Sequence, residues 1–246
     1  MTKNIYLSVV APCYNEISRG NPLEENVKRT LQILKKNYND SFELILFDDK
    51  SKDSTKQAIQ KLAKKHKNVI ALFHEINKGR GKTVSDGIIA SKGKYSGFID
   101  IDLETDAKYI PIIVSKLEQG YDVSTAWRHT KAGWQHIARD IASNAYRNLA
   151  KVTLGTSFND TETGFKFFNK KKIIPVLKKT KNEGWFWDTE IMARAHYADL
   201  KVIETPVQFI KKQEIQSTVR FFNDIKDYAR ELIKFKMQIL KESKLK

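Results

Sequence analysis

The sequence lacks the features that mark secreted and membrane-spanning proteins. It contains one cysteine, Cys13, so no disulfide can form within the chain, and a reducing compartment is the simplest interpretation. No stretch approaches the roughly 20 apolar residues that a membrane-spanning helix needs. The first residues, MTKNIYLSVVAPCYNE, lack the cationic and long apolar regions of a signal peptide. We therefore expect a cytoplasmic protein.

Acidic residues are also scarce relative to basic ones. The chain has 44 lysines and arginines against 29 aspartates and glutamates, which gives a net charge of +15. A surplus of this size predicts an anionic partner, such as nucleic acid, a phosphorylated substrate or an acidic membrane surface. Lysines that fill solvated faces explain part of the surplus, so charge alone does not choose the partner.

The order of apolar and helical patterns predicts the fold. The 246 residues, of which 41% are hydrophobic, suffice for an α/β domain with a real core. Four apolar runs, IYLSVVAP, FELILFDD, NVIALFH and KYSGFID, alternate with three helical patterns. This rhythm predicts a mostly parallel sheet with helices on both faces. Ligands of such sheets bind at the carboxyl ends of the strands.

The rhythm changes after residue 120. We expect strands in DVSTAWR and LKVIETPVQF, and a turn with a short strand in DTETGFKFFNK. We expect a helix in WQHIARDIASNAYRNLAKVTL, a loop leading into a helix in GWFWDTEIMARAHYA, and a terminal helix. The chain then divides into a globular domain over 1–217 and a basic amphipathic helix over 218–246. Apolar residues recur near helical spacing in that helix, among them Tyr228, Leu232 and Ile239. A helix of this kind packs either on the domain or on an anionic membrane surface.

Two aspartates follow the fourth predicted strand. Asp100 and Asp102 lie two residues apart, so on an extended segment their carboxylates share one face. Their repulsion would raise each other's pKa, and a divalent cation would remove that cost. Oxygen ligands favour Mg²⁺ or Mn²⁺, which bridge carboxylates to phosphates. The alternative interpretation is an acidic, solvated loop.

Two further strand ends carry groups that suit a nucleotide. Asp48 and Asp49 close the second strand, where a carboxylate can accept hydrogen bonds from a base edge or a ribose. The turn NKGRGK supplies cations at the start of a predicted helix, which is a natural phosphate site. It matches neither a dinucleotide fingerprint nor a Walker loop. Together with a metal site, these groups predict a pocket for a nucleoside diphosphate.

Six segments in order carry a resemblance to a known family. They are VVAPCYNE, LILFDDKSKDST, INKGRGKTVSDGI, FIDIDLETDAKYIP, DTETGFKFF and WFWDTEI. In sequence and spacing the chain resembles family 2 glycosyltransferases of the GT-A fold over about residues 5–220. Within that family it looks most like the synthases of dolichyl- or polyprenyl-phosphate glucose or mannose.

The resemblance implies a role for each matching residue. The nucleotide-binding residues would be Pro12, Tyr14, Glu16, Asp48, Asp49, Arg80, Lys82 and Asp100. The catalytic residues would be Asp102, Asp188 and Glu190, with Asp100 and Asp102 holding the metal. The acceptor phosphate would contact Arg128, Arg139 and Arg220.

The implied reaction moves a hexose from a nucleotide sugar to polyprenyl or dolichyl phosphate, with inversion at the anomeric carbon. UDP-glucose is the favoured donor, and GDP-mannose also fits the motifs. A phosphate acceptor is already ionised near neutral pH and needs no strong base. A glycan or other hydroxyl acceptor is the alternative, with Asp188 as general base.

A nucleic-acid-binding protein is the hypothesis from a different class. The charge suits it, but acids at the predicted strand ends oppose a polyanion, and no RNA- or DNA-binding motif occurs. We therefore expect no nucleic-acid partner. The basic terminal helix instead predicts peripheral attachment to the cytoplasmic face of an anionic membrane.

Overall fold

The computed structural model describes residues 4–129, 148–212 and 221–244, and seven strands in these ranges form one sheet. The strands are β1 (Leu7–Cys13), β2 (Phe42–Asp48), β3 (Val69–Phe73), β4 (Tyr95–Ile99), β5 (Val123–His129), β6 (Phe165–Asn169) and β7 (Val202–Gln208). Their order across the sheet is β3-β2-β1-β4-β6-β5-β7. Strand β6 pairs antiparallel with both of its neighbours, and the other strand pairs are parallel.

Eight helices accompany the sheet in the described ranges. They are α1 (Leu23–Tyr38), α2 (Thr55–Lys65), α3 (Arg80–Ala90), α4 (Ile110–Glu118), α5 (148–154), α6 (Lys170–Leu177), α7 (Trp187–Tyr197) and α8 (Phe221–Lys244). A short 3-10 turn (Ala107–Tyr109) precedes α4, and the carboxylate of Asp106 caps it by accepting from the backbone N–H of Lys108.

Successive strand residues point to opposite faces of the sheet and build two cores. Val9 packs in one core with α1, α2 and α4, whereas Val10 packs in the other with α3, α6 and α7. Both valines are fully buried. Strands buried on both faces are continuous apolar runs in the sequence, because neither face meets water. Helices thus cover both faces, and the strand ends stay available for a site.

The predicted fold class is confirmed, and two elements differ in detail. The short strand predicted in DTETGFKFFNK is β6, but it runs antiparallel within a sheet that was expected to be mostly parallel. Helix α6 was not predicted, because three lysines at its start and Pro175 inside it hide its helical pattern. Most of the helix expected over 134–154 lies outside the described residues.

The terminal helix α8 contacts the domain with one face. Leu232 and Phe235 are buried and pack in a small cluster with Phe186 and with residues of α5 and α7. The predicted boundary between residues 217 and 218 lies outside the described residues and stays a prediction. None of the helices in the described ranges has both the length and the apolar character that crossing a membrane demands.

Candidate active site

The candidate site lies where parallel strands end side by side. Strand β2 ends at Asp48, and β4 ends at Ile99, directly before Asp100. Strand β1, between them in the sheet, leads into Tyr14. The topology therefore brings the three predicted groups of nucleotide-binding residues to one rim of the sheet.

Asp49 anchors the turn that enters helix α3. Its Oδ1 accepts the backbone N–H of Lys78 at 2.9 Å, and its Oδ2 accepts that of Gly79 at 2.8 Å. The Nδ1 atom of His74 lies 2.7 Å from Oδ1 of the same carboxylate. Both oxygens are therefore engaged with the protein, and Asp49 fixes where α3 begins. Sequence reasoning assigned no role to His74, which is buried and also contacts Asp86.

Asp48 presents an acceptor at the same strand end. Its side chain is 1% exposed, and its Oδ2 accepts the backbone N–H of Ser51 at 3.2 Å. Its Oδ1 is buried and has no hydrogen-bond partner among the described residues. A buried acceptor without a hydrogen-bond partner destabilises the folded protein. An N–H or hydroxyl group of a bound ligand could donate to this oxygen and remove that cost.

Glu16 folds the loop that follows β1. It is 4% exposed and accepts the backbone N–H of Tyr14 at 3.1 Å and the side-chain amide of Asn21 at 2.6 Å. Burial raises the pKa of Glu16, although Arg19 at 3.2 Å opposes the shift. Pro12 lies opposite Phe47 in the β1–β2 ladder. These residues shape the wall of the site beside β1.

Arg80 lies at the centre of the rim. Its Nε and one terminal nitrogen donate to Oδ1 of Asp100 at 3.0 and 2.7 Å, and its other terminal nitrogen donates to Oδ2 of Asp188 at 2.6 Å. The guanidinium carbon lies 5.3 Å from the ring centre of Phe98 and 4.9 Å from that of Trp185. Burial lowers the pKa of Arg80, but the two aspartates outweigh it and raise the pKa. The site therefore contains a permanent, oriented cation.

Asp188, in the first turn of α7, is held by two cations. Its Oδ2 accepts from Arg80, and its Oδ1 accepts from Nζ of Lys166 at 2.9 Å. Lys166 is fully buried in β6 and also donates to the backbone oxygen of Thr163. Burial lowers the pKa of Lys166, and Asp188 opposes that shift. Sequence reasoning missed Lys166; the available signal was a single lysine inside an apolar strand.

Two glycines permit the close contacts around Arg80. A Cβ atom on Gly164 would lie 1.7 Å from Oδ2 of Asp100 and 2.7 Å from Arg80. A Cβ atom on Gly81 would lie 2.4 Å from Cβ of Trp187. The absence of a side chain at Gly81 therefore lets α3 pack directly against the start of α7.

Asp102 fits the predicted metal site. Burial and the charges of Asp100, Glu104 and Glu16 raise its pKa to about 7. Within the described chain, the carboxylate has one hydrogen-bond partner, the backbone N–H of Glu104 at 3.2 Å. A cation would relieve this repulsion. The described residues contain no group of three acidic, histidine or cysteine side chains that could hold a metal alone, so substrate oxygens would have to complete the shell.

The other predicted residues have different partners or lie outside the described ranges. Arg128 makes a two-point ion pair with the buried Asp160, at 2.7 and 2.8 Å. Glu190 accepts from Arg194 at 2.7 Å and from two backbone N–H groups of the loop before α7. Lys82 pairs with Asp86 one turn along α3. Arg139 and Arg220 lie outside the described residues.

Comparison with known proteins identifies the family. Residues 8–177 match the family described as Glycosyl transferase family 2. Glycosyltransferase AglD of Haloferax volcanii is 29% identical over 212 residues, which are 85% of this chain and 34% of that protein. Dolichyl-phosphate beta-glucosyltransferases of Dictyostelium discoideum and Saccharomyces cerevisiae are 28% and 26% identical over 90% and 84% of this chain. The matches cover 73% and 67% of those two proteins, so the chain spans about a third of AglD and about 70% of the other two.

Solved structures share the fold at low identity. Glucosyl-3-phosphoglycerate synthase from Mycobacterium tuberculosis, in complex with UDP, has a TM-score of 0.64 and 17% identity over 95% of this chain and 79% of that one. Mannosyltransferase PcManGT from Pyrobaculum calidifontis, in complex with GDP-Man and Mn²⁺, has a TM-score of 0.59 and 15% identity over 89% of this chain and 59% of that one. The predicted resemblance is confirmed: the chain belongs to glycosyl transferase family 2 and is a glycosyltransferase with the GT-A fold.

Proposed function

We propose that the enzyme transfers a hexose from a nucleotide sugar to a polyprenyl or dolichyl phosphate, with inversion at the anomeric carbon. An oxygen of the acceptor phosphate attacks the anomeric carbon of the sugar, and the bond from that carbon to the diphosphate breaks. The nucleoside diphosphate leaves with the bonding electrons. No proton has to be removed, because the phosphate is already ionised near neutral pH.

The hydrogen-bond partners of Asp188 are the observation that supports this proposal. A general base for a hydroxyl acceptor needs a lone pair aimed at the substrate. Both oxygens of Asp188 instead face cations, Lys166 at 2.9 Å and Arg80 at 2.6 Å, and the side chain is 2% exposed. The residue is therefore suited to hold Arg80 in place and poorly suited to take a proton. An acceptor that brings its own negative charge agrees with this arrangement.

The donor side of the site has the groups that a nucleoside diphosphate requires. The unpartnered Oδ1 of Asp48 supplies a buried acceptor for the base or the ribose. Arg80 supplies a fixed cation for the diphosphate, where negative charge develops as the sugar leaves. A divalent cation, Mg²⁺ or Mn²⁺, would be held by Asp100 and Asp102 and would supply further positive charge to the leaving diphosphate.

The donor sugar and the acceptor are inferred from relatives as well as from geometry. Two relatives are named dolichyl-phosphate beta-glucosyltransferases, and one structural neighbour was solved with UDP. These names favour UDP-glucose and a dolichyl or polyprenyl phosphate. A neighbour in complex with GDP-Man and Mn²⁺ keeps GDP-mannose as the second donor to test.

The outer face of α8 suits attachment to an anionic membrane. Ile233, Met237 and Leu240 are 58%, 52% and 50% exposed and lie on one side of the helix. Basic residues flank this stripe on both sides, namely Arg230, Lys234, Lys236 and Lys241. Long cationic side chains beside an apolar stripe can reach lipid headgroups while the stripe enters the interface. Peripheral binding would bring the site to its lipid acceptor.

A donor and acceptor panel tests the reaction. Radiolabelled UDP-glucose and GDP-mannose are incubated with the enzyme, Mn²⁺ or Mg²⁺, and either polyprenyl phosphate or a soluble glycan. We expect label in an organic-extractable product that mild acid hydrolyses, and we expect a chelator to abolish its formation. Label that enters only the water-soluble glycan would refute the lipid acceptor.

Replacement of Asp188 by Asn tests its role. The variant keeps the shape of the side chain but loses its negative charge. We therefore expect the transfer rate to fall about tenfold, which is much less than the effect of removing a general base. Inversion is tested separately with the wild-type enzyme, whose product from an α-linked donor should have the β configuration by NMR. Near-total loss of activity with intact donor binding would point to a general base and a hydroxyl acceptor.

Vesicle binding tests the membrane surface. The enzyme should sediment with vesicles containing phosphatidylglycerol more than with phosphatidylcholine alone, and Met237→Glu should remove the difference. Ile89→Glu is the matched control, because Ile89 is 50% exposed on α3. Equal sedimentation of wild type and Met237→Glu would exclude the stripe as the binding surface.

A further inference from the structure

A fully buried lysine lies beneath the candidate site. Lys166 is in β6, between β4 and β5 in the sheet, and its side chain has no exposure to solvent. The strand residues Phe165, Phe167 and Phe168 are equally buried. A buried ammonium costs several kcal/mol unless it is well paired. An apolar side chain would serve the sheet at this position without that cost.

The ammonium of Lys166 begins a line of alternating charges that reaches the rim. It donates to Oδ1 of Asp188 at 2.9 Å, and Oδ2 of Asp188 accepts from Arg80 at 2.6 Å. The opposite edge of that guanidinium holds Asp100 at 2.7 and 3.0 Å. Because Lys166 takes one oxygen of Asp188, Arg80 donates one hydrogen bond to that carboxylate and two to Oδ1 of Asp100.

Folding alone gives little reason to keep these charges. Replacing a buried ion pair by apolar residues of similar volume is often neutral or stabilising. We propose that Lys166 is a positioning residue. By holding Oδ1 of Asp188, it keeps the guanidinium of Arg80 directed toward Asp100, where the diphosphate of the donor would bind. The inference rests on the proposed function, because it uses Arg80 as the diphosphate contact.

The expected effect of removing the ammonium follows from the geometry of carboxylates and guanidinium groups. Without Lys166, both oxygens of Asp188 can accept from Arg80, and a two-point pair is the stronger arrangement. Arg80 would then turn away from Asp100 and from the diphosphate. Binding of the diphosphate should weaken, whereas binding of the nucleoside, which the proposed function assigns to Asp48, should not.

Lys166→Met tests this inference in the full chain. Titration calorimetry with Mn²⁺ measures UDP or GDP binding, whichever the wild type shows, and saturation-transfer NMR measures the matching nucleoside. We expect the Kd of the diphosphate to rise at least tenfold, with an unchanged Kd for the nucleoside. The unfolding temperature should fall, because one partner of a buried ion pair is removed, and both titrations are therefore run well below it. Lys166→Leu, which also lacks a donor for Asp188, carries the same expectations and serves if the methionine variant does not fold.

Lys170→Met is the matched control, because Lys170 directly follows β6 and its ammonium contacts only backbone oxygens among the described residues. It should bind both ligands as wild type does. Equal diphosphate binding by wild type and Lys166→Met would overturn the inference, and so would parallel losses of diphosphate and nucleoside. A wild type that binds neither UDP nor GDP would instead refute the proposed function.

A double-variant cycle tests whether Lys166 acts through Asp188. In an Asp188→Asn background the two-point pair with Arg80 can no longer form, so Lys166→Met should change the Kd of the diphosphate less than threefold. A tenfold change in that background as well would overturn the assigned route and leave Lys166 with a separate role.

Discussion

Replacing Asp102 by Asn should stabilise the metal-free enzyme at pH 8. Burial and three neighbouring carboxylates raise the pKa of Asp102 to about 7. The ordinary pKa of an aspartate is near 3.8, and each pH unit of difference corresponds to about 1.4 kcal/mol. The substitution can therefore raise the free energy of unfolding by at most about 4 kcal/mol. The side chain keeps some contact with water, so we expect about 2 kcal/mol, or roughly 5 °C in unfolding temperature.

The sign of the pH dependence is fixed by the direction of this shift. Because the pKa of the folded state lies above that of the unfolded state, Asp102 costs no stability below about pH 4, and the cost grows up to about pH 7. The advantage of Asp102→Asn at pH 8 should therefore be smaller at pH 5. Thermal unfolding with a chelator, at both pH values, measures it.

Asp106→Asn is the control of opposite sign. Burial raises the pKa of Asp106, but hydrogen bonds from Arg29 and from the backbone of Lys108 outweigh it and lower the pKa. Loss of this carboxylate should lower stability at pH 8. If Asp102→Asn is no more stable than wild type at pH 8 while Asp106→Asn behaves as expected, burial and neighbouring carboxylates do not raise the pKa of Asp102 as argued.

Three further outcomes follow from the packing. Gly164→Ala should reduce transfer more than tenfold, because its Cβ would lie 1.7 Å from a rim carboxylate; Gly184→Ala, whose Cβ meets nothing nearer than 3.6 Å, should not, and equal activities would contradict this. Asp160→Asn should lower the free energy of unfolding in urea by about 2 kcal/mol, since it breaks a buried ion pair; an unchanged midpoint would count against that pair. Leu232→Ala should cost about 3 kcal/mol and Ile233→Ala little, because only Leu232 is buried; similar thermal shifts would show that α8 is not docked as described.

The sequence was sufficient to predict the nucleotide half of the fold and its rim. Strands such as β1 and β2 are buried on both faces, so each is an unbroken apolar run that ends in polar residues. Parallel neighbours bring those ends together, which is why Asp48 and Asp100 could be assigned to one edge. These features depend on local pattern and on one general rule of topology.

Other features depend on contacts that no local pattern contains. The direction of β6 is set by its neighbours, so the burial of Lys166 between two strands could not be inferred from GFKFF. Asp188 and Glu190 were grouped because both lie in WFWDTEI, a motif that carries the family resemblance. On a helix, residues two apart point in different directions, and Glu190 indeed joins Arg194 and the preceding loop, away from Arg80.

The packing of α8 affects how the enzyme can be shortened for study. Its inner face covers Phe186, which directly precedes α7, and its Glu242 contacts Arg194 of α7 at 3.1 Å. Helix α7 also carries Asp188, so α8 supports the wall of the reaction site from behind. Deleting this helix to obtain a more tractable protein would uncover an apolar surface and loosen that wall. Activities measured on such a truncated chain would describe a different molecule, even if it stayed in solution.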